Sequence, residues 1–325
     1  MTSAAAVNKV KWLTKAKKLG HAGTLDPLAT GILPLAFGEA TKCINLLMDA
    51  KKTYRFRVTF GERRSTDDAE GEVIATSSHI PTEADIGAIL PSFTGEILQT
   101  PPIYSAIKVD GKRAYDLARA GENVALNERL VNVYELKLLG CWDQIKNPSP
   151  NPLPQGERAS QDSLLIASSP RGRRLEEGGA TQGEREFIVE FQAVVGKGTY
   201  IRSLGRDIAQ TLGSEGYISL LHRASVGPFH EAQAISLDFL ENPAHMSANF
   251  EGGTPEWLLP TRAALDDIPA VTIGEHEWQR LRHGHVLERP HSPLPLIGLL
   301  YKEELVALAE SDGTVIKTKR LLNIT

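Results

Sequence analysis

The chain has 325 residues, 41% hydrophobic and 23% charged, with a formal net charge of -4. This is the composition of an ordinary globular protein of about two domains, and it excludes a polycation that coats nucleic acid indiscriminately. Any nucleic-acid contact must come from local patches, such as Lys9, Lys11, Lys15, Lys17 and Lys18, or Lys108, Lys112, Arg113 and Arg119. The two cysteines, Cys43 and Cys141, lie far apart in no ligand spacing, which gives neither a disulfide framework nor a zinc site. No run approaches the roughly 20 apolar residues of a membrane span, so a cytoplasmic protein is expected.

In chain order, the pattern predicts a helix over 5–19, with Ala5, Val10, Leu13 and Trp12 inward and the lysines toward solvent. A turn-like segment around Asp26-Pro27 follows, then an apolar run over 32–37 and helical spacing at Cys43, Leu46 and Leu47. Residues 53–60 alternate, with Tyr54, Phe56, Val58 and Phe60 on one face and Arg55, Arg57 and Thr59 on the other, which is the pattern of a half-buried strand. Residues 62–71 are charged and turn-rich, and Asp67 and Asp68 read as part of a turn. Thr82-Glu-Ala-Asp85 starts a helix that runs to about residue 90.

Residues 131–141 and 186–195 look like neighbouring strands. Between them, 146–185 is rich in Pro, Gly, Ser and charge, a composition that cannot offset its ordering entropy, and it reads as a disordered insertion. Ile201, Leu204, Ile208 and Leu212 recur at helical spacing, leaving Arg202, Arg206 and Asp207 on other faces. A linker over 241–256 precedes short strands at 270–273, 296–300, 305–309 and 315–319. The chain therefore reads as α+β, with one domain over 1–240 and a small β-rich domain over 257–325.

Taken alone, an Asp before a Pro is a common turn element. The whole stretch 20–31, Gly-His-Ala-Gly-Thr-Leu-Asp-Pro-Leu-Ala-Thr-Gly, says more. With the following Ile-Leu-Pro and Gly38-Glu-Ala-Thr-Lys42, it resembles the signature of the TruB family of tRNA pseudouridine synthases. Four further stretches agree in order: Lys52-Thr-Tyr-Arg55; 100–108 with its continuation 111–119; Lys197-Gly-Thr-Tyr-Ile-Arg-Ser203; and Leu220-Leu-His-Arg-Ala-Ser-Val-Gly227. The resemblance covers about residues 2–240. It implies the pseudouridine synthase fold, a mixed and mainly antiparallel sheet flanked by helices. By position and strand content, 257–325 is expected to be a PUA-like RNA-binding domain.

The implied reaction isomerises uridine to pseudouridine in the T loop of tRNA. It breaks a uracil–ribose N–C bond, turns the base and rejoins it through carbon, which requires a nucleophile and a pocket. Asp26 supplies a carboxylate able to attack covalently, and the resemblance makes it the nucleophile. Arg202 then corresponds to its bidentate partner, and Tyr54 to the ring that stacks on the base and handles a proton. Tyr200 and Leu221 correspond to pocket lining, and His21 to a participant in base flipping. Lys42, Lys108, Lys112 and Arg113 are candidates for phosphate contacts. Without the motif, Tyr54 would read as core and Arg202 as surface. No metal or cofactor is implied; the expected partner is the tRNA T stem-loop, met by a monomer without a protein partner.

Rival readings are a dyskerin-type enzyme that depends on a guide RNA, a non-catalytic tRNA-binding or tRNA-folding protein, and a retaining glycosidase. The last requires a second carboxylate, and none stands out near the motif. Family members usually begin with a strand ending in Asp-Lys-Pro, whereas this chain starts at Met1-Thr-Ser3. A chain that lacks this strand is expected to be less stable and to bind RNA more weakly.

Overall fold

The computed structural model describes residues 1–105, 107–109, 111–120, 126–145, 185–242 and 255–323. Helix α1 (Ser3–Thr14) begins where the Thr2 hydroxyl accepts from the Ala5 amide and ends at Lys15, which takes the left-handed conformation. It is shorter than the expected 5–19, because the αL stop precedes a lysine run with nothing apolar to bury. Val10 faces the core, whereas Trp12 is 75% exposed and does not face inward.

Next come β1 (Leu19–His21), β2 (Thr30–Gly31), β3 (Leu35–Phe37), a 3-10 turn over Gly38–Cys43 and α2 (Ile44–Asp49). They lead into β4 (Lys52–Phe60), β5 (Glu62–Arg64), β6 (Val73–Thr76), α3 (Glu83–Ile89) and β7 (Gly95–Gln99). Helix α3 starts at Thr82 with a full capping box to Asp85, as the sequence pattern requires. A small hairpin, β8 (Lys108–Val109) and β9 (Lys112–Arg113), precedes α4 (Ala114–Arg119). The first region closes with β10 (Arg129–Ile145), β11 (Arg185–Val195), α5 (Ile201–Thr211), β12 (Gly216–Val226), β13 (Phe229–His230) and α6 (Leu237–Glu241).

Among the described residues the main sheet has seven strands in the order β13-β12-β4-β11-β10-β7, with β2 pairing on β12. All pairs are antiparallel except β2 with β12. Strand β4 is central, and its apolar face buries Phe56 and Val58 completely. Phe56 stacks on Phe191 of β11 at 5.3 Å, and each such ring contributes roughly 1.5–3 kcal/mol by leaving water. Helix α5 packs Leu204 and Ile208 on this face. It comes so close that a Cβ on Gly205 would lie 2.5 Å from the Ile218 side chain, which would have to shift to make room.

Strands β10 and β11 pair out to Ile145↔Arg185. The expected insertion therefore leaves and re-enters at the end of one hairpin, with 146–184 outside the described residues. So are 243–254 of the expected linker.

The C-terminal region contains β14 (Ala270–Thr272), α7 (Glu275–Arg282), β15 (Leu287–Glu288), β16 (Leu294–Tyr301), β17 (Glu304–Ser311) and β18 (Val315–Leu321). Its sheet runs β14-β16-β17-β18-β15. Sequence pattern found the longer strands but not α7, whose buried side is only Trp278 and Leu281. The two regions meet through Cys43, Leu265, Leu305, Leu308 and Leu322.

Candidate active site

Three local devices shape the Asp26 loop. Ser3, buried at the start of α1, accepts from the Leu25 amide at 2.8 Å. Gly23 takes φ +85°, a conformation open to residues without a Cβ. Pro27 fixes the next φ and the Ala29 amide donates to the Asp26 carbonyl at 2.9 Å, forming a β-turn with proline at its second position. The Asp26 side chain is thereby aimed across the sheet at the first turn of α5.

That turn is also anchored. Gln99, 1% exposed, accepts from the Tyr200 amide at 2.8 Å and donates to the Tyr200 carbonyl at 3.2 Å. Two residues on, Arg202 donates through Nε to Asp26 Oδ2 at 2.9 Å and through Nη2 to Asp26 Oδ1 at 3.1 Å. Its remaining donors reach the Thr66 and Tyr104 carbonyls at 3.1 and 3.0 Å, and Nη1 lies 3.4 Å from Asp68 Oδ2. The Arg202 side chain is 6% exposed and that of Asp26 31%. A buried, fully satisfied guanidinium thus presents a carboxylate that a substrate can still reach.

The expected turn at Asp67 and Asp68 is present, with Asp67 at φ +59°, but reading it as only a turn needs correction. Both aspartates are buried. Asp68 pairs with Arg202 and accepts from Thr66 Oγ1 at 2.5 Å and the Glu70 amide at 3.0 Å. Asp67 pairs with Arg206, one helical turn below, at 2.8 Å. Burial pushes the Asp67 carboxyl upward, against the Arg206 charge. Sequence reasoning passed over Asp67, Asp68, Gln99 and Ser3. The usable signal was Arg202 and Arg206 at i and i+4 beside Ile201, Leu204 and Ile208 on one helix, since guanidinium groups drawn toward an apolar face require acidic partners.

Tyr54 on β4 and Tyr200 at the N-cap of α5 both lie within electrostatic range of Asp26. Burial pushes each phenol upward; the Arg223 charge opposes this at Tyr54 and the Arg129 charge at Tyr200. Leu221 is buried on β12 opposite Phe56. His21 is half-buried on β1, and its Nδ1 is enclosed without a hydrogen-bond partner. Lys112 is exposed on β9; Lys108 and Arg113 pair there through their backbones, and their side chains lie outside the described set.

Lys42, expected as a phosphate contact, is engaged within the protein. Its ammonium donates to Glu39 at 2.6 Å and to the Leu321 carbonyl at 2.8 Å, while Glu39 accepts from the Asn323 amide at 2.7 Å. It fastens the C-terminal sheet to the first region, so two of its three N–H donors are committed inside the protein. Among the described residues no His, Cys, Asp and Glu cluster is arranged to hold a metal. A mostly apolar cavity of about 670 Å³, lined by Leu25, Pro27, Phe37, Phe229 and Trp257, lies behind the loop and includes none of Asp26, Tyr54, Tyr200 or Arg202.

The fold is that of the pseudouridine synthases. It is shared with an H/ACA ribonucleoprotein bound to a substrate RNA containing 2′-deoxyuridine, at TM-score 0.65 and 22% identity, over 100% of this chain and 82% of that one. A Cbf5-Nop10-Gar1 complex gives TM-score 0.62 and 22% identity, over 99% and 82%. Residues 11–147 match the N-terminal domain of the TruB family pseudouridylate synthases. A protein named tRNA pseudouridine synthase B from Bradyrhizobium diazoefficiens is 44% identical over 100% of this chain and 83% of its own length. Proteins of the same name from Nitrobacter winogradskyi and Bartonella tribocorum are 42% and 39% identical over 100% of this chain, and over 80% and 93% of their own lengths. The chain belongs to the TruB family of pseudouridylate synthases.

Proposed function

We propose that this chain converts a uridine in the T loop of tRNA to pseudouridine, with Asp26 as the nucleophile. The observation that carries this reading is the bidentate Asp26–Arg202 contact, with the arginine buried and the carboxylate partly open to solvent. The guanidinium holds the carboxylate ionised and aimed, so little reorganisation is left for the moment of attack. Over the whole reaction the N1–C1′ bond breaks, a C5–C1′ bond forms, C5 loses a proton and N1 gains one. Composition is unchanged, and no redox partner is required.

A T-loop uridine must leave its stack to reach Asp26. Leu221 and Tyr200 offer an apolar wall for the flipped base, and Tyr54 offers a ring face. Burial keeps Tyr54 a neutral phenol, fit to relay the proton released from C5. His21, beside the loop entrance, braces the RNA from which the base has left. Lys112 and the neighbouring cations of the β8–β9 hairpin contact phosphates, and the C-terminal sheet holds a further part of the RNA. The chain acts as a monomer in the cytoplasm without a guide RNA or protein partner. Relatives at 39–44% identity carry the tRNA enzyme's name, while the H/ACA ribonucleoprotein resembles the chain at 22%.

Incubating the full chain with an unmodified tRNA transcript and mapping pseudouridine by carbodiimide-blocked primer extension tests the reading. A single new pseudouridine in the T loop is expected. None, or one confined to another stem-loop, contradicts it.

A further inference from the structure

Among the described residues Arg223 is the largest fully buried side chain, at 1% exposure. Among the described residues no carboxylate pairs with it. Instead Nε donates to the Ile32 carbonyl at 2.8 Å and Nη2 to the Gly23 carbonyl at 3.1 Å. These two carbonyls bracket the Asp26 loop, one on each side of the nucleophile. The Arg223 backbone oxygen also accepts from the Ile32 amide at 2.8 Å. The neighbouring Gly31, at φ +100°, approaches so closely that a Cβ would sit 2.2 Å from that oxygen.

On the other side, Arg223 is the direct cross-strand partner of Tyr54, and its charge lies within electrostatic range of the Tyr54 phenol. One guanidinium therefore ties the loop before Asp26 to the loop after it, from a position directly across the strand pair from Tyr54. A buried cation without a counter-ion is costly, and an apolar side chain of similar volume would fill the space at lower cost.

We propose that Arg223 is a positioning residue that fixes the Asp26 carboxylate relative to the Tyr54 hydroxyl, serving turnover and not RNA affinity. This rests on the function proposed above. The planar fork matters as well as the charge, because two carbonyls in different directions, on either side of the loop, suit a guanidinium and not the single point of an ammonium.

The test compares the full-length wild type with Arg223→Lys, Tyr54→Phe and the double variant. Each is measured for single-turnover pseudouridine formation on a T-stem-loop RNA, for RNA affinity and for melting temperature. Arg223→Lys is expected to hold affinity within about twofold while slowing turnover at least tenfold, the scale of a small misplacement at a reacting centre. In the Tyr54→Phe background the same substitution should cost less than about threefold, because the two residues are direct cross-strand neighbours and act as one unit. Arg223→Gln, which keeps a planar donor without charge, serves if the lysine variant does not fold. Turnover within twofold of wild type overturns the proposal, as does an equal loss in both backgrounds, a loss matched by lost affinity, or a failure of both variants to fold. A wild type that makes no pseudouridine overturns the functional reading and the proposal with it.

Discussion

The cleft of the main sheet buries Arg202, Asp67, Asp68 and Arg223, whereas the C-terminal sheet buries Ile297, Leu299, Ala307, Ala309 and Ile316. The C-terminal sheet keeps its ion pairs, Lys319–Glu310 and Lys317–Asp312, at half-exposed positions. Apolar packing is the stabler way to fill an interior, since a buried ion pair commonly gains nothing over hydrophobic residues of the same volume. The cleft therefore retains its charges for a geometry that packing alone cannot supply. The C-terminal sheet, with no such demand, is built as a platform.

Breaking the cleft should give the largest effect. Arg202→Met leaves Asp26 and Asp68 without their cation, and is expected to lower stability by about 3–5 kcal/mol and turnover by on the order of 10³ or more. Denaturant melts and single-turnover assays read the two losses together. Asp68→Asn removes one charge but keeps a hydrogen-bonding amide; about 1–3 kcal/mol should be lost, with turnover falling more than RNA affinity.

The converse experiment is Ile297→Ala in the C-terminal sheet. A cavity there should cost about 2–5 kcal/mol in a melt, yet leave turnover of pre-bound RNA unchanged. Equal turnover losses from Ile297→Ala and Asp68→Asn would erase the contrast between the regions. The smallest effect is expected at Lys42→Ala, a partly exposed tie worth about 1 kcal/mol or less. The salt dependence of RNA binding should not change; a slope reduced by about 1 would restore Lys42 as a phosphate contact.

Much of the fold was legible because the signals are local. Strand β4 announces itself through Tyr54, Phe56, Val58 and Phe60, helix α3 through the Thr82–Asp85 box, and the β10–β11 hairpin through matched alternation on either side of a polar insertion. Helix α7 was not legible, since Trp278 and Leu281 alone make too narrow an apolar stripe. In the site, Asp26 and Arg202 were found through a family-like motif and not through periodicity. Asp68 and Arg223 were missed for a different reason. A turn aspartate and a strand arginine look like surface residues until the chain folds and closes them against partners more than a hundred residues away.

The most direct test of the account is the Asp26→Asn substitution, which keeps the shape of the side chain and one acceptor oxygen but removes the nucleophilic charge. Single-turnover pseudouridine formation and RNA affinity are measured on the same T-stem-loop. The account predicts affinity within about threefold of wild type and a rate lower by at least about 10³. An Asp26→Asn variant that makes pseudouridine within about tenfold of the wild-type rate would contradict it.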